Sequence, residues 1–157
     1  MDRSVLESIR TLLQTTRVLS LAYVTDAGAE VALLPFAPGE DYAALYVQAS
    51  TLARHAQALR PGARVGLLVH AQDSAAADAM QLARLSVEAT VSMLGKESAA
   101  FDAAAAQFAG RFRAAKLTLG FGDFNLYALT LGSGRFVEGF ARAFDVTPET
   151  FTELRSS

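Results

Sequence analysis

In the stretch ASTLARHAQALRPGARVGLLV (residues 49–69), two hydroxyls, Ser50 and Thr51, precede a guanidinium, Arg54, and an imidazole, His55. Spaced over the first turns of a helix, these groups suit an oxyanion. A helix start offers unpaired N–H groups and the positive end of the backbone dipole, and the basic side chains add charge and directed hydrogen bonds. The same residues also make an ordinary surface helix, with Ser50 or Thr51 as its cap and Arg54 in solvent. The local sequence leaves both readings open. Arg84 is the second candidate: no acidic partner stands near it in LARLS (82–86), so it is either an exposed cross-strand charge or a donor to a ligand at the mouth of a barrel.

Other motifs carry less chemistry. GFGDF (120–124) lacks a full GxGxxG and reads as a tight turn in which Asp123 bonds local amides. The two histidines, His55 and His70, have no carboxylates beside them at ligand spacing, so no protein metal site is expected. No nucleophile elbow supports a Ser–His–Asp triad, and no catalytic residue is identified.

Apolar periodicity supplies the elements that must hold these groups. Val5, Leu6, Ile9, Leu12 and Leu13 share one face of a helix over 4–16. RVLSLAYV (17–24) reads as a strand apolar on both faces, hence buried. TDAG (25–28) turns the chain into a returning strand, AEVALLPFA (29–37). Further strands are expected at 44–49, 64–71 and 83–93, the last alternating strictly between apolar and polar residues. A helix over 51–60 is stopped by RPGA, and another over 97–113 aligns Phe101, Ala105, Phe108 and Phe112 as core. Tyr46 and Tyr127 read as barrel-wall aromatics. Strands at 124–131 and 135–144 are joined by GSG (132–134), read as a glycine hairpin turn, and a short helix closes the chain at 148–154.

The predicted class is therefore mainly β (α+β). It is a single domain, 1–157, in which about six antiparallel strands close into a barrel with peripheral helices, because hairpin joins without a strand–helix–strand rhythm exclude a Rossmann layout. A net charge of −2 gives no footprint for nucleic acid. The absence of cysteine excludes disulfides and thiolate chemistry. No apolar run is long enough to span a membrane, and MDRSVLESIRTLLQ does not read as a signal peptide, so a cytoplasmic protein is expected.

The order of AYVTDAGAEVALLPFA, LYVQASTLARHAQAL, ARVGLLV and ARLSVEATV resembles the FMN-binding split-barrel family of pyridoxamine 5'-phosphate oxidase-like proteins. GDFNLYAL and RFVEGFARAFDV are more similar still to its haem-utilisation branch, and the likeness spans about residues 15 to 145. That resemblance implies a six-stranded Greek-key split barrel forming a homodimer, with FMN in each of two clefts between the chains. It places Arg54 and His55 on the basic segment that holds the FMN phosphate, with Ser50 and Thr51 just before it. Leu33, Pro35 and Phe36 would run along the flavin ring, offering mostly backbone groups, Arg84 would reach its pyrimidine edge, and Gly139 and Arg142 would lie near the cleft. The chain departs from the oxidase in carrying Leu33 in place of an arginine and His55 in place of a lysine. Its tail, FDVTPETFTELRSS, has neither the oxidase's substrate-binding residues nor a histidine that could ligate haem, and neither His55 nor His70 reads as an obvious free ligand. The implied function is an FMN-dependent oxidoreductase of unidentified substrate. The alternatives are a haem- or tetrapyrrole-binding protein and a dimeric barrel without cofactor.

Overall fold

The computed structural model describes residues 1–155 of the chain. Its first helix, α1 (Arg3–Thr15), is followed by strands β1 (Val18–Thr25), β2 (Gly28–Pro38), β3 (Ala44–Ser50), β4 (Arg64–His70) and β5 (Arg84–Met93). Then come α2 (Ala99–Arg111), α3 (Ala115–Thr118), the long strand β6 (Phe124–Gly139), β7 (Arg142–Val146) and α4 (Pro148–Glu153). The sheet runs in the order β3-β2-β1-β4-β5-β6-β7, and a further antiparallel pairing of β3 with β6 closes the first six strands into a barrel. Closure satisfies backbone groups that an open edge would leave unpaired.

Alternation decides which side chains fill the barrel. Leu19, Leu21 and Tyr23 of β1, Leu34 and Phe36 of β2, Val65, Leu67 and Val69 of β4, and Leu85, Val87, Ala89 and Val91 of β5 all point inward and are buried. α1 lays its apolar face on the same core and is tied down at several points. Arg10 donates to Leu154 O at 3.0 and 2.5 Å, and Arg111 donates to Leu13 O and Thr16 O at the helix C-terminus. α2, capped by Ser98 Oγ accepting from Phe101 N, covers a second cluster in which Phe108 and Ala104 pack on Ala37 and Leu126.

Three expectations are corrected. GSG is not a hairpin turn: β6 runs straight through it, paired with β5 on both sides, and a bulge between Val87 and Ala89 absorbs the irregularity. The chain reverses instead at Phe140–Ala141, where Ala141 has φ of 58°. Glycine is required at 134 because a Cβ there would lie 2.2 Å from Ser86 O and 2.6 Å from Val87 Cα. The segment 51–60 is not a helix but a single 3-10 turn at Arg54–Gln57. Both of its ends are fixed elsewhere, Thr51 N on Asp123 O and Leu59 in the core. β1 is not buried on both faces: Val18, Ala22 and Val24 point out of the barrel and are exposed.

Adding a methyl group at position 134 forces strand against strand. Gly134→Ala is expected to cost about 1–3 kcal/mol in urea unfolding, whereas Gly95→Ala, which meets nothing within 4 Å, should stay within about 0.5 kcal/mol of the parent. Equal midpoints for the two variants would contradict the close approach of β5 and β6.

Candidate functional site: the outer face of the barrel

The outward residues of β2, β1, β4 and β5 form one continuous surface. The registers Ser20↔Leu33, Ser20↔Leu68 and Leu68↔Ser86 set one row across it, and Ala22↔Val31, Ala22↔Gly66 and Gly66↔Glu88 set the next. Much of this surface is apolar and open: Val24 is 80% exposed, Val31 71% and Leu33 68%. A groove of about 710 Å³ crosses it past Ala22, Val31 and Gly66 to Ser86 and Arg135. Charges rim the surface as two ion pairs, Arg64 with Glu88 and Arg135 with Asp145.

At one end of the face lies the predicted anion seat. β3 pairs with β6 along its whole length but with β2 only over Phe36–Pro38, and the segment carrying Arg54 lies beside the freed stretch of β2. Arg54 and His55 line one cavity of about 560 Å³ together with Tyr23 and Glu30. Arg54 donates to Glu30 Oε1 at 2.5 Å, and the Tyr23 hydroxyl donates to Glu30 Oε2 at 2.9 Å. Arg54, and after it Tyr23, hold the Glu30 carboxyl below the ordinary carboxylate range, while burial and the neighbouring carboxylate push Tyr23 up. Burial pushes His55 down, so its ring is largely neutral at pH 7. Ser50 is also engaged: its hydroxyl donates to Asp123 Oδ2 at 2.6 Å and accepts from Leu52 N. Asp123 thus fixes a residue of another strand and does not serve only its own turn.

The remaining predicted residues fall into two groups. Leu33 and Pro35 are on the open face, but Phe36 has the opposite parity and is fully buried inside the barrel beneath the Arg111 guanidinium, at 5.0 Å. The Phe36 side chain therefore faces the core and leaves only its backbone toward the outer face. Arg84 pairs in register with His70 on one side and Val137 on the other, at the far end of the sheet from Arg54. Gly139 and Arg142 pair with each other in the adjoining hairpin, where Arg142 donates to Glu138 Oε2 at 2.7 Å and Ser8 donates to Glu138 Oε1 at 2.6 Å. The single chain therefore brings Arg54 and His55 together, and separately Arg84, Gly139 and Arg142, but not the two sets. The sequence pattern does not single out Glu30 as the partner of Arg54. The available signal is its parity with Leu34 and Phe36, which makes it a carboxylate on the inward side of a strand.

A second cavity of about 560 Å³ lies between α1, α2 and the β2–β3 turn, but its polar groups are spent on one another. Gln14 donates to the Tyr42 hydroxyl at 2.7 Å and Gln107 to Glu40 at 3.0 Å. Among the described residues no group of three or more His, Asp or Glu side chains could hold a metal ion, and no helix is long and apolar enough to cross a membrane.

No protein-family model matches the chain. It is 28% identical over 150 residues to the haem oxygenase HutZ of Vibrio cholerae, covering 93% of this chain and 83% of that protein. A solved haem-binding protein from Mycobacterium smegmatis superposes with a TM-score of 0.83 at 25% identity, over 98% of this chain and 62% of its own length. The solved HutZ of V. cholerae, described as a haem storage protein, gives a TM-score of 0.69 at 26% identity over 80% of this chain and 88% of that one. This chain has the split-barrel fold of those proteins. A protein of the pyridoxinephosphate oxidase family from Clostridium acetobutylicum shares the same fold, with a TM-score of 0.68 at 12% identity. Such a likeness fixes the architecture, and function must come from the site. The chain spans only about three-fifths of the mycobacterial protein's length, so the barrel corresponds to part of that molecule.

Because Glu30 ionises more readily in the folded split barrel than unfolded, it contributes stability that is present above the unfolded value, about 4.3, and lost as pH falls through the lower folded value. Glu30→Gln should therefore lose less stability than the parent between pH 7 and pH 3. Thermal midpoints at both pH values check this, and equal losses would contradict the Arg54–Glu30–Tyr23 chain.

Proposed function

We propose that the protein binds a haem-type tetrapyrrole on the outer face of β2, β1, β4 and β5, with a second copy of the chain covering the remainder of that face. The observation that supports this is the combination of an open apolar sheet surface with Arg84, bonded to one backbone carbonyl, at its edge. A tetrapyrrole is a broad apolar plane with carboxylates on one edge. Val31, Leu33, Ala22 and Leu68 suit the plane, and Arg84, which no carboxylate among the described residues holds, suits the carboxylates. Soluble monomers rarely leave a contiguous apolar surface of this kind in water. Two-fold packing of this face on itself would also bring the Arg54 end of one protomer toward the Arg84 end of the other. The named relatives at 25% identity or above, HutZ and the mycobacterial protein, are haem proteins, which favours the same ligand class.

FMN is the second reading, carried by Arg54 and His55 lining one cavity that opens beside the groove. Its phosphate would have to displace Glu30 from Arg54, and it would gain little charge from His55. This ranks FMN below haem on this chain and leaves the oxidoreductase reading dependent on flavin retention.

Titration of the purified protein with haemin and, separately, with FMN distinguishes the two. Saturable growth of a Soret band with no quenching of FMN fluorescence is expected; tight FMN binding without haem binding would reverse the ranking. Sedimentation at micromolar concentration should show a dimer, and Leu33→Glu, which puts a charge at the centre of the face, should shift it to monomer while the circular dichroism is unchanged. A parent protein that is already monomeric would contradict the covered face.

A further inference from the structure

The structure assigns a ligand for the iron: we propose that His70 Nε2 coordinates the metal of a bound haem, with Arg84 beside it holding a propionate. This deepens the haem reading above and rests on it. His70 is the last residue of β4 and is exposed on the outer face, two residues along from Leu68 and directly paired in register with Arg84. Side chains paired across an antiparallel ladder on one face lie about 5 Å apart at Cβ, so imidazole and guanidinium are neighbours at the edge of the apolar surface.

The imidazole is set up for ligation. Its Nδ1 lies 2.7 Å from Ala71 O. A carbonyl can only accept, so in the neutral ring Nδ1 carries the proton and Nε2 the lone pair. Metal-bound histidines are usually oriented in this way, with the second nitrogen donating to a carbonyl or carboxylate. The backbone around the ring is pinned on both strands: Thr16 Oγ1 donates to His70 O at 3.3 Å and Ala71 N to Ala83 O at 2.8 Å. Arg84 spends Nη1 on Leu82 O at 3.0 Å, which steadies the guanidinium and leaves its other terminal nitrogen for an anion. The chain has one other histidine, His55, and that ring is partly buried in the polar cavity beside Arg54 and Glu30. Haem supplies four of the metal's ligands itself, so a single side chain suffices here where a bare ion would need a cluster.

The test uses the full chain and two probes, haemin and metal-free protoporphyrin IX. His70→Ala should weaken haemin binding by about 10-fold or more, shift the ferric Soret band away from that of the histidine-ligated parent, and leave protoporphyrin IX affinity unchanged. Added imidazole should restore the parent spectrum in His70→Ala. Arg84→Ala should weaken both probes alike, since it acts on the carboxylate. Circular dichroism and thermal midpoint check that His70→Ala is folded, as an exposed site predicts. If the parent binds haemin and His70→Ala keeps its affinity and spectrum, the ligand assignment is overturned and the haem reading survives. If the parent binds protoporphyrin IX and haemin equally and shows no histidine-ligated spectrum, His70 is likewise excluded. If it binds neither, both fall.

Discussion

A closed barrel has room for one face of each strand. In this chain β1, β2 and β4 carry apolar side chains on both faces, and the interior takes Leu19, Leu21, Leu34, Phe36, Val65, Leu67 and Val69. Val18, Val24, Val31, Leu33 and Leu68 are left pointing out. The helices cannot relieve this. α1 and α4 belong to the main core, and α2 covers only the region of Ala37, Tyr46 and Leu126. The β3–β6 pairing that completes the barrel is thus what leaves the face bare, and the surplus of apolar surface is the physical reason to seek a ligand and a partner there.

Strand periodicity makes most of the architecture legible in the amino-acid sequence. The alternation in β5 marks its two faces, and the spaced leucines of α1 mark the side that meets the core. RVLSLAYV misleads for an instructive reason. An apolar strand with no polar face reads as buried, but closing the barrel buries only one of its two faces. GSG misleads because glycines mark hairpins and close strand approaches alike, and only the opposing Ser86 and Val87 backbone distinguishes them. No helix forms over 51–60 because local propensity cannot overcome anchors 73 residues away, through Ser50 and Asp123.

The anion seat shows the same limit. Arg54 and His55 are identifiable as residues, but their electrostatic state is not. Glu30 sits 24 positions earlier in the chain and reaches Arg54 only because the freed stretch of β2 lies beside the 3-10 turn. An arginine already paired with a carboxylate, next to a histidine that burial keeps neutral, is a weaker phosphate site than the same two residues in isolation. Arg84 is the opposite case. It has no acidic neighbour in sequence, and in the fold it bonds one backbone carbonyl and stands next to His70, with no carboxylate holding it.

The central claim is that the open face of β2, β1, β4 and β5 is the ligand surface, and amide chemical shifts with gallium protoporphyrin IX, a diamagnetic haem surrogate, measure it directly. The shifts are expected to concentrate on Ala22, Val31, Leu33, Gly66, Leu68 and Ser86, and on His70 and Arg84 at the edge of the same face. Perturbation confined to Gln14, Tyr42 and Gln107 in the cavity beneath α2, or none at any amide, would contradict it.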